Sequence, residues 1–258
     1  MHSERTGSGA PLVLVHGLGS SLRTWDRIVP TLAAHREVIA VDLPGFGQSS
    51  PLAGPVTIAT LTDAVERFLA AEGIPDADIV GSSMGARMVL EMARRGRDGA
   101  TVALDPGGFW TPGQLRFFTT SVKASVALIR GIQPLLPAIT GNRVGRTVLL
   151  PQFSARPWKL PADLVLTELR AFKAATSLDE ALESLARGPA QEGLPVGAAR
   201  GRLAIGWGRH DKVTLPSQAA RAAARFPDAT LQWFDKCGHF PHWDAPDDAA
   251  AFILASVG

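Results

Sequence analysis

At 258 residues, 46% apolar and 19% charged, the chain has the composition of a folded globular protein and the length for one large α/β domain with an insertion. A formal net charge of only +2 argues against a nucleic-acid binder, and the single cysteine, Cys237, excludes an intramolecular disulfide. The zinc spacings C-x-x-C and H-E-x-x-H are absent, so no metal and no cofactor are expected. The first residues are polar, and no apolar run reaches the roughly 18 residues of a membrane span, which predicts a cytoplasmic chain without a transmembrane segment. Oligomeric state is not readable from these features.

Along the chain, Leu12-Val-Leu-Val15 reads as a strand buried on both faces, bounded by Pro11 and Gly17. A helical pattern covers Trp25 to Ala34, and Val38-Ile-Ala-Val41 is a second buried strand ending at the turn "DLPGFGQS". Ile58, Leu61, Val65, Phe68 and Leu69 make one apolar helical face, closed by Gly73. The strand Ile79-Val80 leads through "GSSMG" into a helix from Ala86 to Arg95, and the strand Thr101 to Leu104 ends at Asp105-Pro-Gly-Gly108. This alternation predicts βαβ units on a parallel sheet. It stops at Phe109 and resumes at Arg202 to Trp207, followed by a helix over Ser217 to Arg225, the strand Thr230 to Phe234 and a last helix from Asp247 to about Val257. The expected organisation is a core of residues 1–108 and 189–258, with a helical cap, 109–188, over the carboxyl ends of the strands, where open α/β sheets bind ligands.

The stretch "DIVGSSMGA" places Ser83 between strand and helix, flanked by Gly81 and Gly85 at minus two and plus two. A match to G-x-S-x-G is weak alone, but this placement is that of a nucleophile elbow, in which the glycines let strand and helix close around a strained serine. A serine capping the following helix explains only one of the two glycines. A hydroxyl nucleophile needs a base, and the base needs an orienting acid. "CGHFPHWDAP" sets His239 just after the last strand, and "GRHDKVTLP" sets Asp211 just after the strand before it. A developing oxyanion needs backbone donors, for which Leu18, in the glycine-rich "VHGLGSS", and Met84, at the helix start, are the natural pair. His16 reads as a residue that shapes this turn, and Asp42 as one that stabilises its own.

The segments "LVLVHGLGSS", "VIAVDLPGFGQS", "IVGSSMGA", "GWGRHDKVTLP" and "CGHFPHWDAP", in this order with a helical insertion before the last two, resemble the α/β-hydrolase superfamily, particularly its small bacterial carboxylesterase, C-C hydrolase and haloperoxidase-like branch. The resemblance implies a mostly parallel sheet flanked by helices, Ser83 as nucleophile, His239 as base, Asp211 as acid, and Leu18 and Met84 as oxyanion donors. Relatives commonly begin with an antiparallel hairpin; only about ten residues precede Leu12, so the first antiparallel strand is expected to be missing. C-C hydrolases of ring-cleavage pathways usually carry Asn before the nucleophile and a glycine-proline oxyanion turn, whereas Ser82 and Gly19-Ser20-Ser21 stand here.

The expected activity is serine hydrolysis of a small-molecule carboxylic ester through an acyl-enzyme. The alternatives are a C-C bond hydrolase, a lactonase or a perhydrolase with the same triad, or a hydrolase-fold receptor or natural-product tailoring protein. Asp105 reads as a turn residue or an alternative acid, while Cys237 lacks the elbow and reads as a small buried residue. His210 and His242 read as loop-structuring or exposed. Trp110, Phe118, Phe153 and Trp158 of the insertion, with Gly17 and Phe240, either line a substrate pocket or pack ordinarily. Between Phe109 and Ala162 stand seven basic residues and no acid. Arg116, Lys123 and Arg130 lie opposite an apolar stripe of Leu115, Phe118, Val122, Val126 and Ile129. That basic face is either solvated or a surface that recruits anions.

Overall fold

A computed structural model describes residues 1–258. Seven strands form one sheet: β1 (Ser3–Thr6), β2 (Pro11–Val15), β3 (Glu37–Val41), β4 (Asp78–Ser82), β5 (Thr101–Leu104), β6 (Leu203–Gly208) and β7 (Thr230–Phe234). Their spatial order is β1-β3-β2-β4-β5-β6-β7, and every pairing is parallel except β1 with β3. The helices are α1 (Val29–Ala33), α2 (Ile58–Ala71), α3 (Met84–Arg94), α4 (Pro112–Gly131), α5 (Leu136–Gly141), α6 (Arg143–Leu149), α7 (Ala162–Ala174), α8 (Leu178–Arg187), α9 (Ala219–Arg225), α10 (Pro241–Asp244) and α11 (Pro246–Val257). No single helix is long and apolar enough to cross a membrane. This is the α/β-hydrolase fold.

The central strands are apolar without interruption because both faces are covered. Val13, Val15, Ile39, Val41 and Ile79 enter one core cluster, while the alternate residues Leu12, Leu14, Val38, Ala40 and Val80 enter the other. The chain passes from β3, on one side of β2, to β4 on the other, so strand order reverses at β2. Open α/β sheets bind ligands in the crevice at such a point, outside the carboxyl ends of the strands. The turns after β2 and β4 meet there.

One expectation is corrected. The first antiparallel strand is present: β1 pairs with β3 from Ser3 opposite Val41 to Thr6 opposite Val38. Its sequence, Ser-Glu-Arg-Thr, has no apolar residue because β1 is a short edge strand, with Arg5 and Thr6 exposed. Charged residues on an edge oppose sheet-to-sheet aggregation, and they also remove the pattern by which a strand is recognised.

Between β5 and β6 the chain folds into α4 to α8. The start of α4 follows from Thr111-Pro-Gly-Gln114, a capping box with proline at the first helical position: the Gln114 amide donates to Thr111 Oγ1, and Gln114 Oε1 accepts from the Thr111 amide at 2.9 Å. Phe118, Val122, Val126 and Ile129 are the buried face of α4, with Leu115 packed at its edge. Of the cations opposite, Arg116 is exposed and the other two are paired. Lys123 pairs with Glu183 at 3.4 Å and Arg130 with Asp179 at 2.9 Å, both acids from α8, while Arg146 is buried and donates to the Thr140 carbonyl. The charge segregated along the insertion's sequence is brought together when α8 returns beside α4. Replacing Thr111 with Ala is expected to lower stability by about 1 kcal/mol through loss of the cap, measured by urea unfolding.

Candidate active site

Ser83 joins β4 to α3 with φ 56° and ψ −112°, a left-handed conformation that a serine adopts only under constraint from its surroundings. The constraint is steric closure on both sides. A Cβ on Gly81 would collide with the Gly85 carbonyl, and one on Gly85 would collide with the carbonyls of Val15 and His16. The first turn of α3 therefore lies against the ends of β4 and β2, and the bend falls on Ser83. Backbone hydrogen bonds hold it: the Ser83 amide donates to the Leu104 carbonyl at 2.9 Å, and the Ser83 carbonyl accepts from the Arg87 amide at 3.1 Å.

Ser83 Oγ lies 2.8 Å from His239 Nε2, and His239 Nδ1 lies 2.9 Å from Asp211 Oδ2. With an ionised Asp211 as acceptor, the ring proton sits on Nδ1, leaving Nε2 to accept from the serine hydroxyl. Asp211 is 2% exposed, and its carboxylate is filled by further donors: the Val213 amide at 2.7 Å, the Thr214 amide at 3.1 Å and the Thr214 hydroxyl at 2.6 Å. The three side chains expected from sequence thus form one continuous hydrogen-bonded relay, whose members are separated by 156 and 28 residues in the chain.

Asp105 stands beside this relay. One ligand-type atom from each of Asp105, Asp211 and His239 lies within 4.8 Å of the others. Asp105 is fully buried in a left-handed conformation, φ 48°; its Oδ1 accepts from the Gly208 amide at 2.8 Å and its Oδ2 has no partner. Burial, followed by the adjacent Asp211, holds its carboxyl well above the usual carboxylate range. Two adjacent buried carboxyls cannot both ionise cheaply, and Asp105 is the one with fewer donors.

The turn after β2 is organised by His16, buried completely. Its Nε2 accepts from the Leu43 amide at 3.0 Å, which fixes the proton on Nδ1, and Nδ1 donates to the Gly17 carbonyl at 2.7 Å. Burial lowers its pKa, in keeping with a neutral ring. Asp42 stabilises its own turn through the Gln48 amide at 2.8 Å and also accepts from the Leu22 amide at 2.7 Å. A Cβ on Gly17 would stand 3.1 Å from Ser83 Cβ. The amides of Leu18 and Met84 have no acceptor within the protein.

Aromatic residues extend from the base. Phe240 lies 4.7 Å, centroid to centroid, from the His239 ring and stacks on Phe153 at 6.1 Å, and Phe153 in turn neighbours Phe172 at 6.4 Å. Trp110 stacks on Phe118 at 4.9 Å beside Gly107, whose amide donates to the Ser83 carbonyl at 3.4 Å. Trp158 is not placed with them. It is 43% exposed and lines an outer cleft of about 350 Å³ with Arg156, His210, Lys212 and Lys236. Its 3₁₀ turn, Pro157–Lys159, carries it to the rim because Pro157 and Leu160, not Trp158, are the buried residues there.

Cys237 is buried, and that burial pushes its thiol up to about 12, which makes it a poor nucleophile. His242 is fully buried against Trp25 at 4.4 Å; burial lowers its pKa to about 3, so it is a neutral packing residue. Sequence reading missed three polar residues. Thr214 donates to Asp211; Asp244 accepts from the amides of Gly238 and Ala155 at 2.7 and 2.8 Å; Glu168 of α7 accepts from Ser20 at 2.7 Å. Thr214 is three residues from Asp211 and could have been suspected as a local cap of the carboxylate. The partners of Asp244 and Glu168 include residues about 90 and 148 positions away, beyond any local signal.

The Alpha/beta hydrolase family model matches residues 12–252, and the chain belongs to that family. It is 29% identical over 264 residues to the dihydrolipoyllysine-residue acetyltransferase component of the acetoin cleaving system of Cupriavidus necator, with 98% of this chain and 65% of that protein covered. The chain therefore spans just under two thirds of that relative's length. It is 27% identical over 266 residues to 2-hydroxy-6-oxononadienedioate/2-hydroxy-6-oxononatrienedioate hydrolase 2 of Pseudomonas putida, covering 98% of this chain and 90% of that one. Among solved structures, a thermophilic esterase from Thermogutta terrifontis matches with a TM-score of 0.76 at 19% identity, covering 98% of this chain and 91% of that one. The enol-lactonase from Burkholderia xenovorans LB400 matches with a TM-score of 0.76 at 20% identity, covering 98% and 95%. The structural matches are likenesses of fold. Family membership places the chain among the alpha/beta hydrolases, beside these hydrolase-named relatives.

Replacing Asp211 with Asn is expected to lower kcat by about 10³- to 10⁴-fold, because the His239 tautomer is lost. Asp105→Asn keeps an uncharged, near-isosteric side chain beside Gly208 and should stay within about tenfold of wild type on the scale of a single hydrogen bond. Steady-state kinetics of the two variants decide whether Asp211 or Asp105 is the orienting acid.

Proposed function

We propose that the protein cleaves carboxylic esters of small molecules through an acyl-enzyme on Ser83. The observation that carries this reading is the relay from Ser83 Oγ through His239 to Asp211, at 2.8 and 2.9 Å, on a strained turn at the reversal point of the sheet. Ser83 Oγ attacks the carbonyl carbon while its proton passes to His239 Nε2. The carbonyl oxygen becomes an oxyanion, which the Leu18 and Met84 amides receive, Met84 adding the positive end of α3. Collapse expels the alcohol, which takes the proton from Nε2. Water then attacks the acyl carbon with His239 as base, and a second collapse returns the proton to Ser83 and frees the acid.

Residues 1–108 and 189–258 form the core in this reading, and 109–188 form a cap over the site. Phe153, Phe172 and Phe240 supply an apolar wall next to His239, suited to a substrate with an apolar acyl or alcohol part. The same nucleophile, base and oxyanion donors serve lactone opening without change, since a lactone is a cyclic ester.

A fluorophosphonate probe is expected to label Ser83 and abolish hydrolysis of a panel of chromogenic esters. Ser83→Ala should lose both labelling and turnover, and Cys237→Ser should keep most activity. Labelling at another residue, or unchanged turnover in Ser83→Ala, overturns the reading; a panel inert to all esters but active on a carbon-carbon substrate moves the chemistry to C-C cleavage. Because Lys123 and Arg130 are already paired with α8, kcat/KM for a carboxylate-bearing ester and for its neutral isostere should respond alike to salt between about 10 and 500 mM, a range over which the Debye length falls from about 30 Å to below 5 Å. A selective loss for the charged ester would show that an open basic surface steers substrate.

A further inference from the structure

Outside the relay, the most demanding group in the molecule is a carboxyl in the insertion. Glu168 of α7 is 1% exposed; its Oε2 accepts from the Ser20 hydroxyl at 2.7 Å, and its buried Oε1 has no partner. Ser20 lies two residues after Leu18 in the turn that follows β2. Phe172, one helical turn after Glu168 and on the same face of α7, covers the same turn. A Cβ on Gly19, which has φ 73°, would stand 2.7 Å from the Phe172 ring. A polar and an apolar contact from one helix face therefore grip Gly19 and Ser20.

We propose that Glu168 is a positioning residue through which the insertion sets the Leu18 amide in place for the oxyanion. This rests on the reading of Leu18 as an oxyanion donor given above. The hydrogen bond from Ser20 and the Phe172 contact fix the backbone immediately after Leu18, so that the donor is aimed before substrate arrives and no reorganisation is needed during reaction. A displacement of α7 from the turn would release that backbone while leaving Ser83, His239 and Asp211 in place.

The carboxyl is suited to this task in its neutral form. The helix packs against α4, α5 and the 3₁₀ turn Leu22–Trp25. In that 3₁₀ turn, Arg23 is paired with Glu4 and lies near Asp26, and Arg27 just beyond it donates to the Trp243 carbonyl. On α4, Lys123 and Arg130 are paired with α8 and Arg116 is exposed; α5 carries no titratable residue. Asp163, Arg170 and Lys173 of α7 itself are exposed, and His16 in the gripped turn is held neutral. No cation faces Glu168, while Asp26 and Asp42 oppose its ionisation. Burial first, then these two acids, raises the carboxyl to about 8 despite the hydrogen bond from Ser20.

The sign of the consequence follows directly. The unfolded chain releases this proton near the ordinary glutamate value of about 4.3, whereas the folded protein keeps it to about 8. Between those values the folded state binds the additional proton, so this group's contribution to stability declines as pH rises through the window and is then constant. Above about 8 a buried carboxylate forms with the Ser20 hydroxyl as its single donor and with Asp26 and Asp42 nearby, so the packed position of α7 against the turn is disfavoured.

The test compares wild type, Glu168→Gln, Glu168→Ala and Ser20→Ala on an ester whose hydrolysis is abolished by Ser83→Ala. Glu168→Gln, isosteric with the neutral acid, should stay within about threefold of wild-type kcat at pH 7, while Glu168→Ala should lose about ten- to a hundredfold in kcat with KM changed by less than about threefold, as for a donor lost from the transition state alone. Wild-type kcat should decline above pH 8 and the Gln variant should not. Independently of activity, the Tm of Glu168→Gln relative to wild type should be higher at pH 8.5 than at pH 4.5. Ser20→Ala, which opens almost no cavity, should lower kcat in the same direction if Glu168→Ala does not fold. An alkaline decline retained in the Gln variant, an unchanged kcat in Ser20→Ala and Glu168→Ala, or a Tm difference independent of pH overturns the proposal. Any of these with Ser83-dependent hydrolysis intact leaves the ester reading standing; activity surviving in Ser83→Ala overturns that reading instead.

Discussion

The close approach of α3 to the ends of β2 and β4 is the constraint on which the site depends. Two positions without side chains, Gly81 and Gly85, allow it, and the backbone between them has no relaxed alternative. The strain at Ser83 is sustained because the surroundings over-determine it: parallel pairing of β4 with both β2 and β5, a buried face of α3 and the hydrogen bond from the Ser83 amide to the Leu104 carbonyl. Bending the chain here does two things at once. It lifts Ser83 Oγ out of the strand direction toward His239, and it leaves the first amide of α3 without an intrahelical acceptor. The placement of the Ser83 hydroxyl and the free Met84 amide are consequences of one turn.

His239 and Asp211 reach this turn because the sheet continues in register from β4 through β5, β6 and β7, with all carboxyl ends on one edge. The two loops that follow β6 and β7 need no long reach. Their burial matters as much as their position: His239 and Asp211 are 1% and 2% exposed, in surroundings where a hydrogen bond is electrostatically stronger than in water. Asp105 is buried as deeply but is less well partnered. It meets one backbone donor where Asp211 meets two amides, a hydroxyl and the imidazole, so the difference in donors selects which carboxyl carries the charge.

What was legible in the sequence is what local backbone geometry demands. Gly81 and Gly85 around Ser83, the continuous apolar runs of the central strands and the positions of Asp211 and His239 just after strand ends each have a short-range signature. The misplaced features lack one. The strand β1 has only polar residues because it lies at an edge, and an alternation rule has nothing to detect in four of them. Trp158 could not be told from Phe153 by composition, since the backbone of a 3₁₀ turn decides which side chain faces inward. The basic face of α4 read as unpaired because its acids, Asp179 and Glu183, stand some 50 to 60 residues later, and pairing across that distance is a property of how α8 returns.

The insertion is fastened to the core on both sides of Ser83. On one side α7 holds the turn after β2 through Ser20, and the start of α8 meets the turn after β3, where the Ser177 amide donates to the Gly45 carbonyl at 3.2 Å. On the other, the His239 amide donates to the Phe153 carbonyl at 2.9 Å, while Asp244 joins Gly238 to Ser154 and Ala155. These fastenings reach the turn that bears Leu18 and the loop that bears His239, whereas the elbow itself is held by the sheet. A movement of the insertion large enough to break them therefore disturbs the Leu18 turn and the His239 loop together and leaves Ser83 where it is. The Leu18 turn and the His239 loop are tied to the insertion through the same few hydrogen bonds, so the insertion cannot be loosened at those points without also loosening the contact between His239 and Ser83.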